Sequence, residues 1–181
     1  MTRWVEPRVW VSGEIVTAAA FNSIGNNLEH LKERDRVHVW HSQDEEIKND
    51  RWEILSWDSE RFDNNDMHTT RRRRNRLIEI QRDGIYLLLA KITFASNNTG
   101  VRGVMVRKNG GNDPGSGVLQ GRWWKPSVSG GFDSTVQVRR FARYERGDDL
   151  RVFAYQDSGD KLDVNYGNDT TWFQVLQVAS F

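Results

Sequence analysis

The sequence predicts an all-β fold, an antiparallel sandwich, jelly roll or barrel, behind a short helical arm. From about residue 50, runs with strand-like alternation are separated by turn sequences such as Asp83-Gly84, Gly130-Gly131 and Ser158-Gly159. The 181 residues include 15 Gly and only 3 Pro, together with 8 Trp, 8 Phe and 4 Tyr. This composition favours a turn-rich β fold with an aromatic core over a helical bundle or a disordered chain.

The first predicted element is a helix that starts after Thr17. Thr17 is a suitable N-cap, and three alanines follow it directly. Phe21, Ile24 and Leu28 then recur at helical spacing and form a one-sided apolar stripe. Two interpretations stay open, because the helix could pack on its own domain or residues 1–36 could form an attachment arm.

A β domain is predicted over residues 37–181, with 37–50 as a connecting segment. Its turn sequences divide the remainder into nine strands. Their predicted bounds are 51–57, 77–82, 84–95, 101–109, 118–124, 134–144, 149–156, 161–166 and 171–179.

Three of these strands carry apolar residues on both faces: the one that begins at 84, the one at 149–156 and the last. A sandwich in which each sheet buries one face in the core and exposes the other to water does not explain this pattern. One helix is too small to cover three strands, so we expect a second copy of the chain to cover them. The predicted interface residues are Leu87, Leu89, Phe153, Tyr155 and Trp172.

Although the net charge is only +1, the chain contains an acidic segment followed by a basic one. Residues 37–70 carry 3 basic and 9 acidic side chains, whereas residues 71–125 carry 12 basic and 3 acidic ones. Such segments can complement each other between subunits, which favours self-association.

The strand motifs resemble the complement one-q/tumour-necrosis-factor-like jelly roll. The resemblance rests on four motifs in the family's order over residues 50–181. They are Gly84-Ile85-Tyr86, Asn109-Gly110, Gly147-Asp148 and Thr171-Trp172-Phe173. The resemblance implies a ten-strand jelly roll assembled as a homotrimer. The long Gly-rich stretch at 111–132 departs from the family pattern, so loop-tip functions are not carried over.

The first 36 residues are similar to a leader found in small bacteriophage structural proteins. The matching positions are Trp10, Gly13, Glu14, Val16, Thr17, Ala18, Asn22, Asn27 and Leu28. The segment at 62–68, FDNNDMH, is placed before the jelly roll as in such phage proteins. This resemblance implies a virion component made in the bacterial host cytoplasm and displayed on the particle surface.

The expected function is therefore a non-enzymatic, trimeric structural protein of a phage particle. Tail tip, tail fibre and capsid decoration all stay open as its location, and other virion proteins are its expected partners. The residues expected to dock the arm on the particle are Trp10, Thr17, Phe21, Ile24 and Leu28. An alternative is a receptor-binding protein that recognises host cell-surface polysaccharide, and a remote alternative is a polysaccharide hydrolase.

No catalytic motif, metal site or cofactor site is predicted. Cys is absent, and so are the G-x-S-x-G, P-loop and H-E-x-x-H patterns. His38 and His41 could ligate a metal only on a helix or turn, because residues three apart on a strand point to opposite faces. No apolar run is long enough for membrane insertion.

Two features could contact a ligand or partner. Arg71, Arg72, Arg73 and Arg74 could bind phosphates or an acidic neighbour, but no aromatic residue is interleaved, so nucleic acid is not expected. Trp123-Trp124 could form a sugar platform, whereas packing in the core or the trimer seam is the alternative.

Overall fold

The computed structural model describes residues 5–71 and 74–180. The chain divides after Arg34 into two compact units, an N-terminal unit and a β domain. The predicted helix is confirmed as α1 (Ala18–Lys32). The hydroxyl of Thr17 accepts a hydrogen bond from the backbone N–H of Ala20 at 3.3 Å, which satisfies one of the unpaired donors at the helix start.

An extended segment lies beside α1 within the N-terminal unit. The Asn27 side chain accepts a hydrogen bond from the Val5 N–H at 2.8 Å and donates one to the Val5 carbonyl at 2.7 Å. Further along the segment, the guanidinium of Arg8 lies 5.2 Å from the ring centroid of Trp10. The two Asn27 hydrogen bonds tie the segment to the helix, and the Arg8–Trp10 contact orders the segment itself.

The described part of the β domain contains twelve strands, all paired antiparallel. They are β1 (Arg36–Trp40), β2 (Glu45–Ile47), β3 (Arg51–Ile54), β4 (Ser59–Asp63), β5 (Ile78–Glu79), β6 (Gly84–Phe94), β7 (Val101–Lys108), β8 (Val118–Pro126), β9 (Ser134–Tyr144), β10 (Asp149–Gln156), β11 (Leu162–Val164) and β12 (Trp172–Ala179).

The strands form two packed sheets. The first sheet has the order β2-β11-β6-β12-β1-β4, and a seventh strand, β9, also pairs with β6. The second sheet has the order β3-β10-β7-β8, and β5 also pairs with β10. Most connections cross between the sheets instead of joining neighbours, so the architecture is the antiparallel jelly-roll sandwich that the sequence predicts.

The core lies between the inner faces of the sheets. On β6, Tyr86, Leu88, Ala90, Ile92 and Phe94 point inward at period two and are all buried. They pack with inward residues of the other strands, such as Val37, Val152 and Phe173. Every member of this core cluster belongs to the β domain.

The prediction of a connecting segment at 37–50 is wrong, because β1 and β2 lie there. Val37 and Val39 are fully buried and pair with Val175 and Phe173. Strand β4 is also missing from the predicted set. These strands are short, and pairing with distant strands of the same chain decides their conformation more than their own pattern does.

Candidate functional site

The outer face of the first sheet carries an apolar surface on its solvent side. Leu87 of β6 lies directly opposite Leu176 of β12 and Phe141 of β9. Opposed residues of antiparallel strands share one face, so these side chains form a continuous row. Leu89 and Trp172 lie on the same face. We call these five residues the apolar face: Leu87, Leu89, Phe141, Trp172 and Leu176.

The apolar face is partly open to solvent. Phe141 is 65% exposed, and Ile85 beside it is 40% exposed. Leu87, Leu89, Trp172 and Leu176 are half-buried by one another. Contiguous exposed apolar surfaces are typical of interaction sites, which makes the apolar face a candidate interaction surface of the β domain.

His38 closes one end of the apolar face. Its ring stacks on Trp172 at 5.4 Å between centroids and meets Phe62 at 5.7 Å. Burial lowers the pKa of His38, and hydrogen bonding to Gln174 opposes that shift. The histidine therefore serves as a packed, largely neutral side chain within an aromatic cluster.

The five predicted interface residues do not form one surface. Leu87, Leu89 and Trp172 lie on the apolar face, but Phe153 and Tyr155 belong to β10 in the second sheet. Phe153 is fully buried within its own subunit, so this part of the predicted interface is corrected. The sequence pattern identifies two-sided strands but does not say which sheet each strand joins. Phe141 was missed because it lies among arginines.

The outer face of the second sheet carries an aromatic cluster made of Trp52, Trp124 and Tyr155. These residues lie in one row across four strands, with Gly103 between Tyr155 and Trp124. Ring centroids are 4.9 Å apart for Trp52–Trp124, 4.7 Å for Trp124–Tyr155 and 5.4 Å for Trp52–Tyr155. The sequence predicts Trp124 as a ligand contact and Tyr155 as an interface residue, but it does not predict a role for Trp52.

Gly103 is what allows the aromatic cluster to form. A Cβ at this position would lie 2.9 Å from an atom of the Trp124 ring and 3.1 Å from an atom of the Trp52 ring. Both indoles therefore lie directly over the glycine backbone, where any other residue would displace them. The Tyr155 hydroxyl donates a hydrogen bond of 2.6 Å to Asp50, which fixes the third ring.

Trp123 and Trp124 point to opposite sides of β8. Trp123 is opposite the core residue Val104, but β8 is the edge strand of the second sheet and Trp123 remains 59% exposed there. Val118 and Leu119 on the same strand are also exposed. The two tryptophans therefore contribute to different surfaces.

The N-terminal unit has an apolar groove of 590 Å³ between α1 and the extended segment. Trp10, Thr17, Ile24 and Leu28, four of the residues predicted to dock the arm, line it. Phe21 is 63% exposed and is not among the lining residues. The groove places four of the five predicted arm residues together.

The arginine run lies in the segment between β4 and β5. Arg71 and Arg74 are exposed and line a 370 Å³ cavity, whereas Arg72 and Arg73 lie outside the described residues. Asp66 and Glu79 line the same cavity and balance the two described arginines. The described residues therefore do not present a purely basic surface.

His38 and His41 point in different directions, as expected for a strand. His41 meets the core residue Trp57 at 4.7 Å between ring centroids, whereas His38 faces outward. Among the described residues, no group of three His, Asp or Glu side chains is placed to hold a metal ion. No helix within 5–71 or 74–180 is long and apolar enough to cross a membrane.

Comparison with solved structures identifies the fold. Eiger TNF from S. frugiperda matches with a TM-score of 0.62 and 11% identity over 82% of this chain and 95% of that one. Murine APRIL at pH 5.0 matches with a TM-score of 0.59 and 14% identity over 80% of this chain and 99% of that one. The globular domain of zebrafish complement 1qA protein matches with a TM-score of 0.56 and 8% identity, over 81% and 99% of the two chains.

The β domain therefore has the tumour-necrosis-factor/complement one-q type of jelly-roll fold that the strand motifs predict. At these identities the comparison establishes the fold alone. No protein-family model and no curated protein matches the sequence.

Proposed function

We propose that this chain is a non-enzymatic structural protein of a bacteriophage particle, which assembles as a homotrimer and docks through its N-terminal arm. The observation that carries the proposal is the apolar face on the outside of the first sheet. The virion part is supported by the phage-type leader in the first 36 residues. The displayed β domain would then lie on the particle surface.

A closed ring of three subunits needs two different surfaces on each subunit, because its contacts are heterologous. The apolar face provides the first surface. The exposed edge strand β8, with Val118, Leu119 and Trp123, provides a second one. Packing the edge of one subunit on the face of the next would bury both, which supports a trimer over an isologous dimer.

Sedimentation equilibrium of the purified full chain tests the trimer. We expect three times 21.1 kDa. Leu89→Asp places a charge in the apolar face and should yield a folded monomer, since an unpaired buried charge is strongly unfavourable. Arg51→Asp is the matched control, because Arg51 is exposed on the second sheet. A monomeric wild-type chain would refute the trimer.

The N-terminal unit supports the docking part of the proposal. Its apolar side chains are exposed on the solvent side of a short helix, with Phe21 at 63% and Leu28 at 62% exposure. An isolated helix of 15 residues is marginal in water and gains stability from a partner surface. A recess on a neighbouring virion protein would supply that surface.

Particles assembled from the genome that encodes this chain test the docking. The full chain should co-purify with them through a density gradient. A chain with Phe21→Asp and Leu28→Asp should remain soluble and trimeric but be missing from the particles. Particles that lack the wild-type chain would overturn the virion assignment and leave the trimer standing.

A further inference from the structure

A mixed polar and aromatic cavity adjoins the aromatic cluster on the outer face of the second sheet. Its volume is 550 Å³, within the range of about 300–1,000 Å³ typical of small-molecule sites. We call it the β3 cavity. Its lining residues are Glu45, Arg51, Trp52, Glu53, Ile54, Arg76, Asn112 and Pro114.

We propose that the β3 cavity binds a neutral saccharide, with Trp52 as the stacking surface and the surrounding charged and amide side chains as hydrogen-bond partners. This inference gives a defined site to the glycan-binding alternative, and it does not depend on trimer formation or particle docking.

Trp52 is held in place before any ligand arrives. Its ring is supported by Trp124 at 4.9 Å and Tyr155 at 5.4 Å, and its position over Gly103 leaves it little freedom to move. An indole gives a large, rigid, amphipathic contact surface at low entropic cost. The apolar face of a sugar ring can pack on such a surface.

The polar groups around Trp52 are also held in place. Glu45 accepts hydrogen bonds from the backbone N–H and the hydroxyl of Ser56, at 3.0 and 3.2 Å. Glu53 accepts one from the backbone N–H of Lys48 at 3.1 Å, and the Arg51 guanidinium lies 3.7 Å from its other oxygen. Fixed polar groups beside an aromatic wall can orient the hydroxyl groups of a sugar.

The charge of the lining excludes other ligand classes. Arg51 and Arg76 balance Glu45 and Glu53, so the cavity has no surplus positive charge for a phosphate or a nucleotide. The two carboxylates are engaged by Ser56, Lys48 and Arg51, which does not fit a cation site. Five of the eight lining residues are charged or amide side chains, which disfavours an apolar peptide.

Asn112 and Pro114 bring a second element to the cavity. They belong to the Gly-rich connection between β7 and β8, the segment that departs from the family pattern. Arg107 of β7 anchors this connection by donating hydrogen bonds of 3.2 Å to the carbonyls of Ser116 and Gly117. The Gly-rich connection thus supplies one rim of the cavity, opposite β3.

Binding of the full chain to an array of neutral oligosaccharides, built from hexoses and N-acetylhexosamines, tests the proposal. We expect at least one oligosaccharide to bind and to change the tryptophan emission on titration. Trp52→Ala and Asn112→Ala should each weaken that binding at least tenfold, and Trp52→Phe should restore part of it. Asn112 is an exposed loop residue, so its variant tests the site even if Trp52→Ala disturbs the cluster.

Phe132→Ala is the matched control, because Phe132 is an exposed aromatic residue outside the β3 cavity, the aromatic cluster and the two proposed trimer surfaces. Its affinity should stay within twofold of the wild type. Binding to none of the oligosaccharides would overturn the proposal. An equal loss in Phe132→Ala and Trp52→Ala would also overturn it, while the sedimentation result for the trimer would be unaffected.

Discussion

His41 shows how burial sets the charge of a single residue. Its side chain is buried against Trp57, with Glu45 at 3.3 Å. Burial lowers the pKa of His41 to about 4, and the nearby carboxylates of Asp58 and Asp44 only partly oppose this. At neutral pH the imidazole is therefore uncharged and acts as a core aromatic.

Acid should destabilise the β domain through this residue. The unfolded chain binds a proton at His41 near pH 6.5, whereas the folded chain binds it only near pH 4. The contribution of His41 to the free energy of unfolding is thus fully present above pH 6.5. It falls by about 3 kcal/mol in total as the pH falls toward 4.

Urea unfolding at pH 7 and pH 4, compared between the wild type and His41→Gln, measures this effect. Between pH 7 and pH 4 the free energy of unfolding of the wild type should fall by about 3 kcal/mol more than that of the variant. Burial raises the pKa of Glu45, which acts in the opposite direction and is present in both proteins. Equal losses in both proteins would contradict the assignment.

At the scale of elements, α1 has a well-capped N-terminus but a residue of low helix propensity in its interior. Thr17 caps the helix, but Gly25 lies in its interior, where glycine costs backbone entropy. A Cβ built on Gly25 meets no atom within 4 Å. No close contact within the described residues therefore requires a glycine at this position. Its low helix propensity leaves the stability of α1 dependent on a partner surface.

Substitutions at these two positions should shift helix stability in opposite directions. Gly25→Ala should stabilise α1 by about 1 kcal/mol, and Thr17→Ala should destabilise it by a similar amount. Circular dichroism at 222 nm on the full chain should show a stronger helical signal in the first variant and a weaker one in the second. A signal that does not change in either variant would mean that contacts outside the helix decide its stability.

The strands illustrate why element boundaries are only partly readable from sequence. The long strand β6 has an unbroken inward row of apolar residues, and its predicted bounds of 84–95 agree with the structure to within one residue. Predicted strand 77–82 is reduced to the two residues of β5, and β4 is SERFD, which has no apolar alternation. Their pairing depends on β10 and β1.

At the scale of the whole molecule, the core of the β domain uses only its own residues. Its cluster runs from Val37 to Val175, and the N-terminal unit is compact by itself. A chain that begins at Glu33 should therefore fold, with a thermal midpoint within about 3 °C of the full chain. Differential scanning calorimetry measures this, and loss of the transition would show that the N-terminal unit completes the fold.

The two candidate surfaces of the β domain differ in how far the sequence predicts them. Leu87, Leu89 and Trp172 were found because a strand with apolar residues on both faces is visible in a one-dimensional pattern. Of the aromatic cluster, the sequence predicts Trp124 as a ligand contact and Tyr155 as an interface residue, but it does not predict that they meet or that Trp52 joins them. Trp52, Gly103 and Tyr155 are far apart in the chain, and their common row exists only once four strands are in register.

The sequence by itself determined the fold class, the capped helix and which strands carry apolar residues on both faces, because periodicity, turn residues and caps are local properties. Only the tertiary structure decided which sheet each two-sided strand joins. This separated Phe153 and Tyr155 from the apolar face and brought Trp52 and Asn112 to one cavity. Sheet membership depends on pairing between residues up to 140 positions apart, such as Arg36 and Leu176, and local patterns do not encode such pairing.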